Sequence, residues 1–401
     1  MTSRLLVPVL AAAVLLGVTT ACAPKDPPAP CAPGDRGRLL SVAPTHHLDR
    51  SQLSQALAGA HLTGGALHGV DEYQVRYCTV AADATPTVAS GLLALPDDEP
   101  GERPLVVYEH STVTAAGNVP SARPSGDGLL APPYFATAGF AVAAPDYLGL
   151  GSSPGPHPFM QASTEASATL DLLPAVERAG VGLGVALSHD VLLTGHSQGG
   201  AAAMATGEAM QQQGGPWRLR ALAPMAGPYD LAGAELPAIT DPRAVDPHRA
   251  SAYLAYLLLA WDRLYPLGLD PRQMFAVPAA DEIAHLFDGT HDFTQIAAAL
   301  PAPQQLLAPA ALALVEHPTA PFAAALEANE VCRWRPDVPV RLYAGHGDRD
   351  VVYANSTSCR DQLRVRGGDA VVEDMGGADH VGTAIAALPA IRTWFAELSR
   401  P

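Results

Sequence analysis

Charge is scarce in this 401-residue chain: only 16% of its residues are Asp, Glu, Lys or Arg. The shortage falls on the basic side, with 24 Lys and Arg against 40 Asp and Glu and a formal net charge of −16. Such a chain repels phosphate backbones, and no Lys/Arg run offers a local exception, so nucleic acid is not an expected partner. No Cys/His group has zinc spacing, and no Walker or dinucleotide glycine pattern follows a strand, so no metal and no cofactor is expected. No repeat recurs at solenoid periods. The longest apolar run beyond the N-terminus, residues 252–261, is too short to span a bilayer. What is abundant is apolar material at 48%, with 36 Gly and 38 Pro to turn the chain often. The length suits one large domain carrying an insertion, or two average ones.

The N-terminus has the form of an export signal. Arg4 precedes an apolar stretch over 5–18, and small residues Thr19, Thr20 and Ala21 lead into Cys22. A cysteine after small residues resembles a bacterial lipobox, in which it is acylated and becomes the mature N-terminus. Thr19 departs from the Leu usual there. Residues 1–21 are thus expected to be removed, Cys22 to carry the lipid, and residues 22–37 to form a Pro-rich tether to the membrane. The other four cysteines allow three pairings. Cys31–Cys78 and Cys332–Cys359 are expected because each joins neighbours along the chain, and disulfides fit an exported protein.

Residues 48–61 have a helical pattern, and 72–80 with 87–95 read as a strand pair. Short apolar runs then recur at 104–109, 140–145, 191–195, 220–226, 338–344 and 370–373. Helical stretches at 162–179, 198–212, 354–365 and 381–398 alternate with them. Runs bounded by Gly and Pro and separated by helices predict a mostly parallel sheet with both faces covered. Residues 229–335 break the rhythm with Ala- and Leu-rich segments and no convincing strand. That block is expected to be a helical cap, inserted into a core of residues 38–228 and 336–401.

Gly195-His196-Ser197-Gln198-Gly199 matches G-x-S-x-G, the pattern of a sharp strand-to-helix turn that exposes a serine hydroxyl. The chain contains a second match, Gly151-Ser152-Ser153-Pro154-Gly155, which serves as a control. The residue after a serine nucleophile must donate its backbone N–H to the oxyanion, and Pro154 has none. Ser197 is followed by Gln198 and a good helix, so Ser197 is the expected nucleophile and Gln198 the first oxyanion donor.

A serine needs a histidine to take its proton, and that imidazole needs an acid to fix its tautomer. His380 follows the run ending at 373, and Asp350 follows the run ending at 344, in the order Ser, acid, His. Asp348 lies on the same turn; Asp350 is preferred because Gly-x-x-Asp followed by Val is the usual arrangement of that turn. His196 and His346 are expected to be structural. The second oxyanion donor is expected from the segment after residue 109, with His110, Ser111 and Thr112 all open.

Several segments together resemble a known family. Residues 108–112 (YEHST) with 119–121, 144–151 (APDYLGLG) with His157-Pro158-Phe159, GHSQGG, and the ADH near the C-terminus are similar to fungal-type secretory lipases and related bacterial exported esterases. The resemblance covers roughly residues 73–395. It implies the α/β-hydrolase fold, a mostly parallel central sheet flanked by helices, and hydrolysis of lipid or short-chain esters beneath a cap without a cofactor. The Asp turn departs from the family pattern, being a residue shorter after Asp350 and lacking the usual proline. Asp146 and Tyr147 are read as structural, a buried hydrogen-bonding Asp and an aromatic flooring the cleft. Acyl transfer to another acceptor and peptide hydrolysis use the same triad. A non-catalytic binding module is disfavoured, because such proteins usually lose a triad member.

Overall fold

The computed structural model describes residues 31–97, 101–265, 267, 273–276 and 280–400. The expected signal segment, Cys22 and most of the tether lie outside the described residues.

Nine strands form one sheet: β1 (Leu39–Leu48), β2 (Val70–Val80), β3 (Pro86–Pro96), β4 (Glu102–Glu109), β5 (Ala141–Pro145), β6 (Ala186–His196), β7 (Arg218–Met225), β8 (Val340–Ala344) and β9 (Ala370–Asp374). Their spatial order is β1-β2-β3-β5-β4-β6-β7-β8-β9. The β1–β2, β2–β3 and β3–β5 pairs are antiparallel, and every pair from β5–β4 to β8–β9 is parallel. The runs expected to be strands are strands. β1 was not anticipated, since its sequence LLSVAPTHHL holds no long apolar run and none of its residues is buried at the sheet edge.

Around the sheet lie α1 (Arg50–Gly59), α2 (Asp127–Ala136), α3 (Ala162–Gly182) and α4 (Gln198–Gln213). Leu105 and Val107 of β4 pack with Leu172 and Val176 of α3 and Met204 of α4. Val106 and Tyr108 join Tyr134 and Phe135 of α2 on the other face. Both faces being covered is why PLVVYE is a continuous apolar run rather than an alternating one. The helix α2 escapes a sequence reading because Pro132 and Pro133 sit inside it. Two lost backbone donors disfavour a helix on their own. Burial of Tyr134 and Phe135, neither with any exposure, offsets that cost here.

Between β7 and β8 the described residues are mainly helical. A π-helical turn (Leu231–Glu235) is followed by α5 (Leu236–Ile239), α6 (Pro247–Leu264), α7 (Ala280–Leu286), α8 (Phe293–Ala299), α9 (Pro303–Leu306), α10 (Pro309–Glu316) and α11 (Ala320–Ala328). The helical stretch expected over 293–316 is three short helices, α9 and α10 each restarting at a proline. The principal helix, α6, is capped by Asp246, which accepts from the N–H groups of His248 and Arg249. It is sewn to the core loops. Tyr256 donates to the Val113 carbonyl at 3.2 Å, Trp261 Nε1 to the Phe159 carbonyl at 3.1 Å, and the Tyr256 and Phe159 rings stack at 4.3 Å. The block belongs to the same compact unit as the sheet, Cys31–Pro401.

Beyond β8 and β9 come α12 (Ala354–Val365) and α13 (His380–Leu398). Leu388 and Ile391 of α13 extend the packing begun by α2.

Cys31 is bonded to Cys78 of β2 and Cys332 to Cys359 of α12, the pairing expected from chain order. The intact mass of non-reduced, alkylated protein should therefore show four protected thiols, and each Cys→Ser pair should lower stability by about 2–5 kcal/mol. A free Cys332 or Cys359 in the folded protein would contradict the pairing.

Candidate active site

At the carboxyl end of β6 the backbone turns into α4 within a single residue. Ser197 occupies that turn with φ +58°, a left-handed conformation costing a non-glycine residue about 1–3 kcal/mol. Its surroundings hold it there. Its N–H donates to the Met225 carbonyl of β7 at 2.9 Å, and its carbonyl accepts from Gly200 at 2.8 Å. The flanking glycines are required by close approach. A Cβ on Gly195 would lie 2.2 Å from the Gly199 oxygen, and one on Gly199 would lie 2.0 Å from the Glu109 oxygen. The Ser197 hydroxyl is not spent on capping α4, so it stays free for chemistry at the positive end of a helix dipole.

His380 opens α13, and its Nδ1 lies 2.7 Å from Asp348 Oδ2. Both groups are buried. Burial lowers the His380 pKa, but the hydrogen bond and charge of Asp348 outweigh it and hold the imidazole above its ordinary value. The other Asp348 oxygen accepts from the N–H groups of Asp350 and Val351 at 2.8 and 2.9 Å, which fixes the carboxylate's direction. The expectation for Asp350 is therefore corrected. Its carboxylate faces the helical block, where Oδ1 accepts from Arg249 Nε at 2.5 Å. Arg249 is held in turn by the Tyr253 hydroxyl at 3.2 Å and lies over the Phe293 ring. A turn that closes on its own first carboxylate leaves that carboxylate, not the second, beneath the imidazole.

The three candidates for the second donor are placed differently. Ser111 N–H is taken by Asp127 at 3.1 Å, and its hydroxyl bonds the same carboxylate. His110 is buried against Tyr147, with ring centroids 4.3 Å apart. Thr112 is the member of the three that lines, with Ser197 and Gln198, a narrow apolar cavity of about 50 Å³. Phe159 and Met160 wall that cavity from the core, and Leu236, Ile239, Leu254 and Leu257 from the helical block. A wider cavity of about 260 Å³ meets it at Ser197 and Thr112, lined also by His380, Asp127, Arg249 and Phe293.

The remaining residues singled out in the sequence have structural partners. His196 Nε2 donates to the His380 carbonyl at 3.1 Å. Burial, with the neighbouring His380 imidazole, pushes His196 down to about 4, so it is neutral. His346 bonds Asp374 at the surface and stacks on Tyr353. Asp146 is fully buried and accepts from the Ser90 and Ser121 hydroxyls at 2.5 Å each and from Ser121 N–H at 3.0 Å. Tyr147, at φ +66°, donates to the His110 carbonyl at 3.3 Å. Ser153 of the control motif lines a different cavity, with Thr114 and Tyr256. Arg249 and Asp127 were not anticipated: each acts through a contact distant in sequence, and no local pattern marks either.

A serine on a strained elbow shares a cavity with an acid-oriented imidazole, at the carboxyl edge of a parallel sheet. The chain has the α/β-hydrolase fold. No protein-family model and no curated protein sequence matches it, but solved structures do. A Legionella pneumophila protein assigned as a hydrolase superposes with a TM-score of 0.82 at 25% identity, covering 90% of this chain and 98% of that one. The rice cell wall degrading esterase LipA of Xanthomonas oryzae gives 0.76 at 26%, covering 90% and 97%. Candida antarctica lipase A gives 0.67 at 13%, covering 91% and 83%, a likeness of fold alone. The α/β-hydrolase thus resembles bacterial esterases and fungal-type lipases, as its motifs implied.

In this hydrolase Asp348→Asn should lower kcat on an activated ester by roughly 10³–10⁴-fold, through loss of the correct His380 tautomer. Asp350→Asn, which loosens the Arg249 contact and removes a weaker charge acting on His380, should cost at least 10²-fold less. Steady-state kinetics on the two folded variants check this, and the reverse ranking would return the acid to position 350.

Proposed function

We propose that the protein is an exported carboxylic ester hydrolase that works through an acyl-enzyme on Ser197. The observation that carries this reading is the His380–Asp348 pair, facing the cavity at whose elbow Ser197 sits. In the proposed cycle the His380 Nε2 takes the Ser197 proton as Oγ attacks the ester carbonyl, and Asp348 stabilises the imidazolium. The carbonyl oxygen, now an oxyanion, meets the backbone N–H groups of Gln198 and Thr112. The alcohol leaves with the proton from His380, and water then repeats the attack on the acyl-enzyme. Hydrolase and esterase neighbours at 25–26% identity support the reaction class.

Residues 229–335 act as the cap, and the acyl chain enters the narrow cavity beneath α6. One water needs about 10–15 Å³ of such volume, so a cavity of about 50 Å³ holds roughly three to five heavy atoms. The wider cavity takes the alcohol. Short acyl chains are therefore the proposed substrates. On p-nitrophenyl esters from acetate to palmitate, kcat/KM should peak at or below butyrate and vanish in Ser197→Ala, while Ser153→Ala stays active. Leu257→Ala should shift the optimum to longer chains, each extra buried methylene contributing about 0.8 kcal/mol. An active Ser197→Ala would sink the nucleophile assignment, and an optimum at long chains in the wild type would sink the assignment of the acyl cavity.

Export is proposed from the N-terminal sequence, and two disulfides suit an oxidising compartment. Acylation of Cys22 would hold the enzyme at a membrane. Fatty-acid labelling of the expressed full chain should be lost in Cys22→Ala, and unchanged labelling would reject the anchor.

A further inference from the structure

Two buried acids lie behind the elbow, and the proposed cycle uses neither. Glu165 of α3 and Glu109 at the end of β4 are 2% and 0% exposed. Gln198 Nε2 donates to Glu165 Oε1 at 2.7 Å and lies 2.9 Å from His157 Nε2. The other imidazole nitrogen of His157 is 2.7 Å from the Leu148 carbonyl, which can only accept. The His157 proton is therefore on Nδ1, and Nε2 accepts from Gln198. Both amide hydrogens of Gln198 are thus spent, one on α3 and one on the loop after β5. Gln198 is the first residue of α4, and a side chain anchored through both amide hydrogens restrains the Cα and the backbone N–H beside it.

Glu109 backs the other arm of the same hole. Its Oε1 accepts from the Thr169 and Thr206 hydroxyls at 2.8 and 3.1 Å. Tyr147 lies near the same carboxyl, and its hydroxyl donates to the His110 carbonyl at the root of the segment carrying Thr112.

We propose that Glu165 is a positioning residue for the oxyanion hole, clamping Gln198 together with His157 so that its backbone N–H meets the reacting carbonyl. This rests on the ester-hydrolase reading of Ser197. The groups facing Glu165 are Gln198 from α4, His157 and Tyr147 from the loop after β5, and Glu109 from β4, and they include no cation. Burial pushes the Glu165 carboxyl up; the Gln198 bond pulls it back and Glu109 adds to the rise, leaving it at about 8. Burial likewise pushes Glu109 up to about 7 against its hydroxyl partners. His157, pushed down by burial to about 3, stays neutral. At neutral pH Glu165 is an uncharged acid that accepts a hydrogen bond without setting a negative charge beside an oxyanion. Above its pKa it ionises, and repulsion of the developing charge costs rate.

The test compares Glu165→Leu and Glu165→Gln with the wild type on p-nitrophenyl acetate from pH 6 to 9, with circular dichroism reporting the folded fraction at each pH. Glu165→Leu removes the acceptor, and kcat should fall roughly 10–100-fold with KM within about twofold, less than the loss of a whole oxyanion donor. Glu165→Gln keeps the acceptor as a permanent neutral group. It should stay within about threefold of the wild type at pH 7 and lack the wild type's fall in kcat near pH 8. An active wild type matched in kcat by folded Glu165→Leu overturns this inference alone, as does an alkaline limb unchanged in Glu165→Gln. If Glu165→Leu fails to fold, the limb in Glu165→Gln decides. A wild type inactive on every ester overturns the hydrolase reading and this inference with it.

Discussion

Gly199 rests against the main-chain carbonyl of Glu109 at a distance that no side chain could occupy, and the site is assembled around that contact. It draws the first turn of α4 onto the end of β4. Ser197 at the end of one strand and the segment after Glu109 at the end of its neighbour are thereby brought to a common point. Gly195, packed as closely against Gly199, sharpens the same turn. Ser197 is left with a backbone conformation it would not adopt in isolation, stabilised by the Met225 carbonyl behind it. Strain of this kind persists only where the surroundings over-determine it, and here three adjacent strands do so. A methyl group at position 199 would separate β4 from α4 and displace the backbone at Thr112 and at Gln198 together.

The acid turn serves two sides of the molecule. Asp348 faces inward to His380, while Asp350, two residues on, faces outward to Arg249 of α6. The same three residues, 348–350, thus orient the imidazole and fasten the helical block beside it. Arg249 also lines the wider cavity, so the block's attachment and the lining of the site share one side chain. The Cys332–Cys359 bond secures the far end of that block to α12, which follows the acid turn directly.

Much of this was legible in the sequence, because it is local. Strands buried on both faces show as apolar runs, and an elbow needs its glycines, so β4, β6 and the sharp turn at Ser197 could be read directly. The order of strand ends fixed which histidine to choose. What could not be read depended on partners distant in the chain. Choosing between Asp348 and Asp350 required knowing that Arg249, a hundred residues earlier, takes the second carboxylate. Ser111 looked like a donor until Asp127 was found to occupy its N–H. The helix α2 was hidden by prolines that only tertiary burial makes tolerable. Glu165 and Glu109 gave no signal, since a glutamate in a helix or at a strand end reads as a solvated surface group.

Those concealed glutamates bear on how the whole molecule responds to acidity. Burial pushes Glu109 up to about 7 and Glu165 up to about 8, against an ordinary value near 4.5 in the unfolded chain. Folding in that interval takes protons up from the solvent. The stability these groups contribute is full below about pH 4.5 and is lost as pH rises to about 8. His157 and His196 act in the opposite sense, because they fold neutral and an unfolded imidazole gains its proton below about 6.5. Between pH 4.5 and 6.5 the two sets oppose each other. Above 6.5 the two histidines no longer contribute, and the stability held by these acids falls without opposition from them as pH rises to about 8.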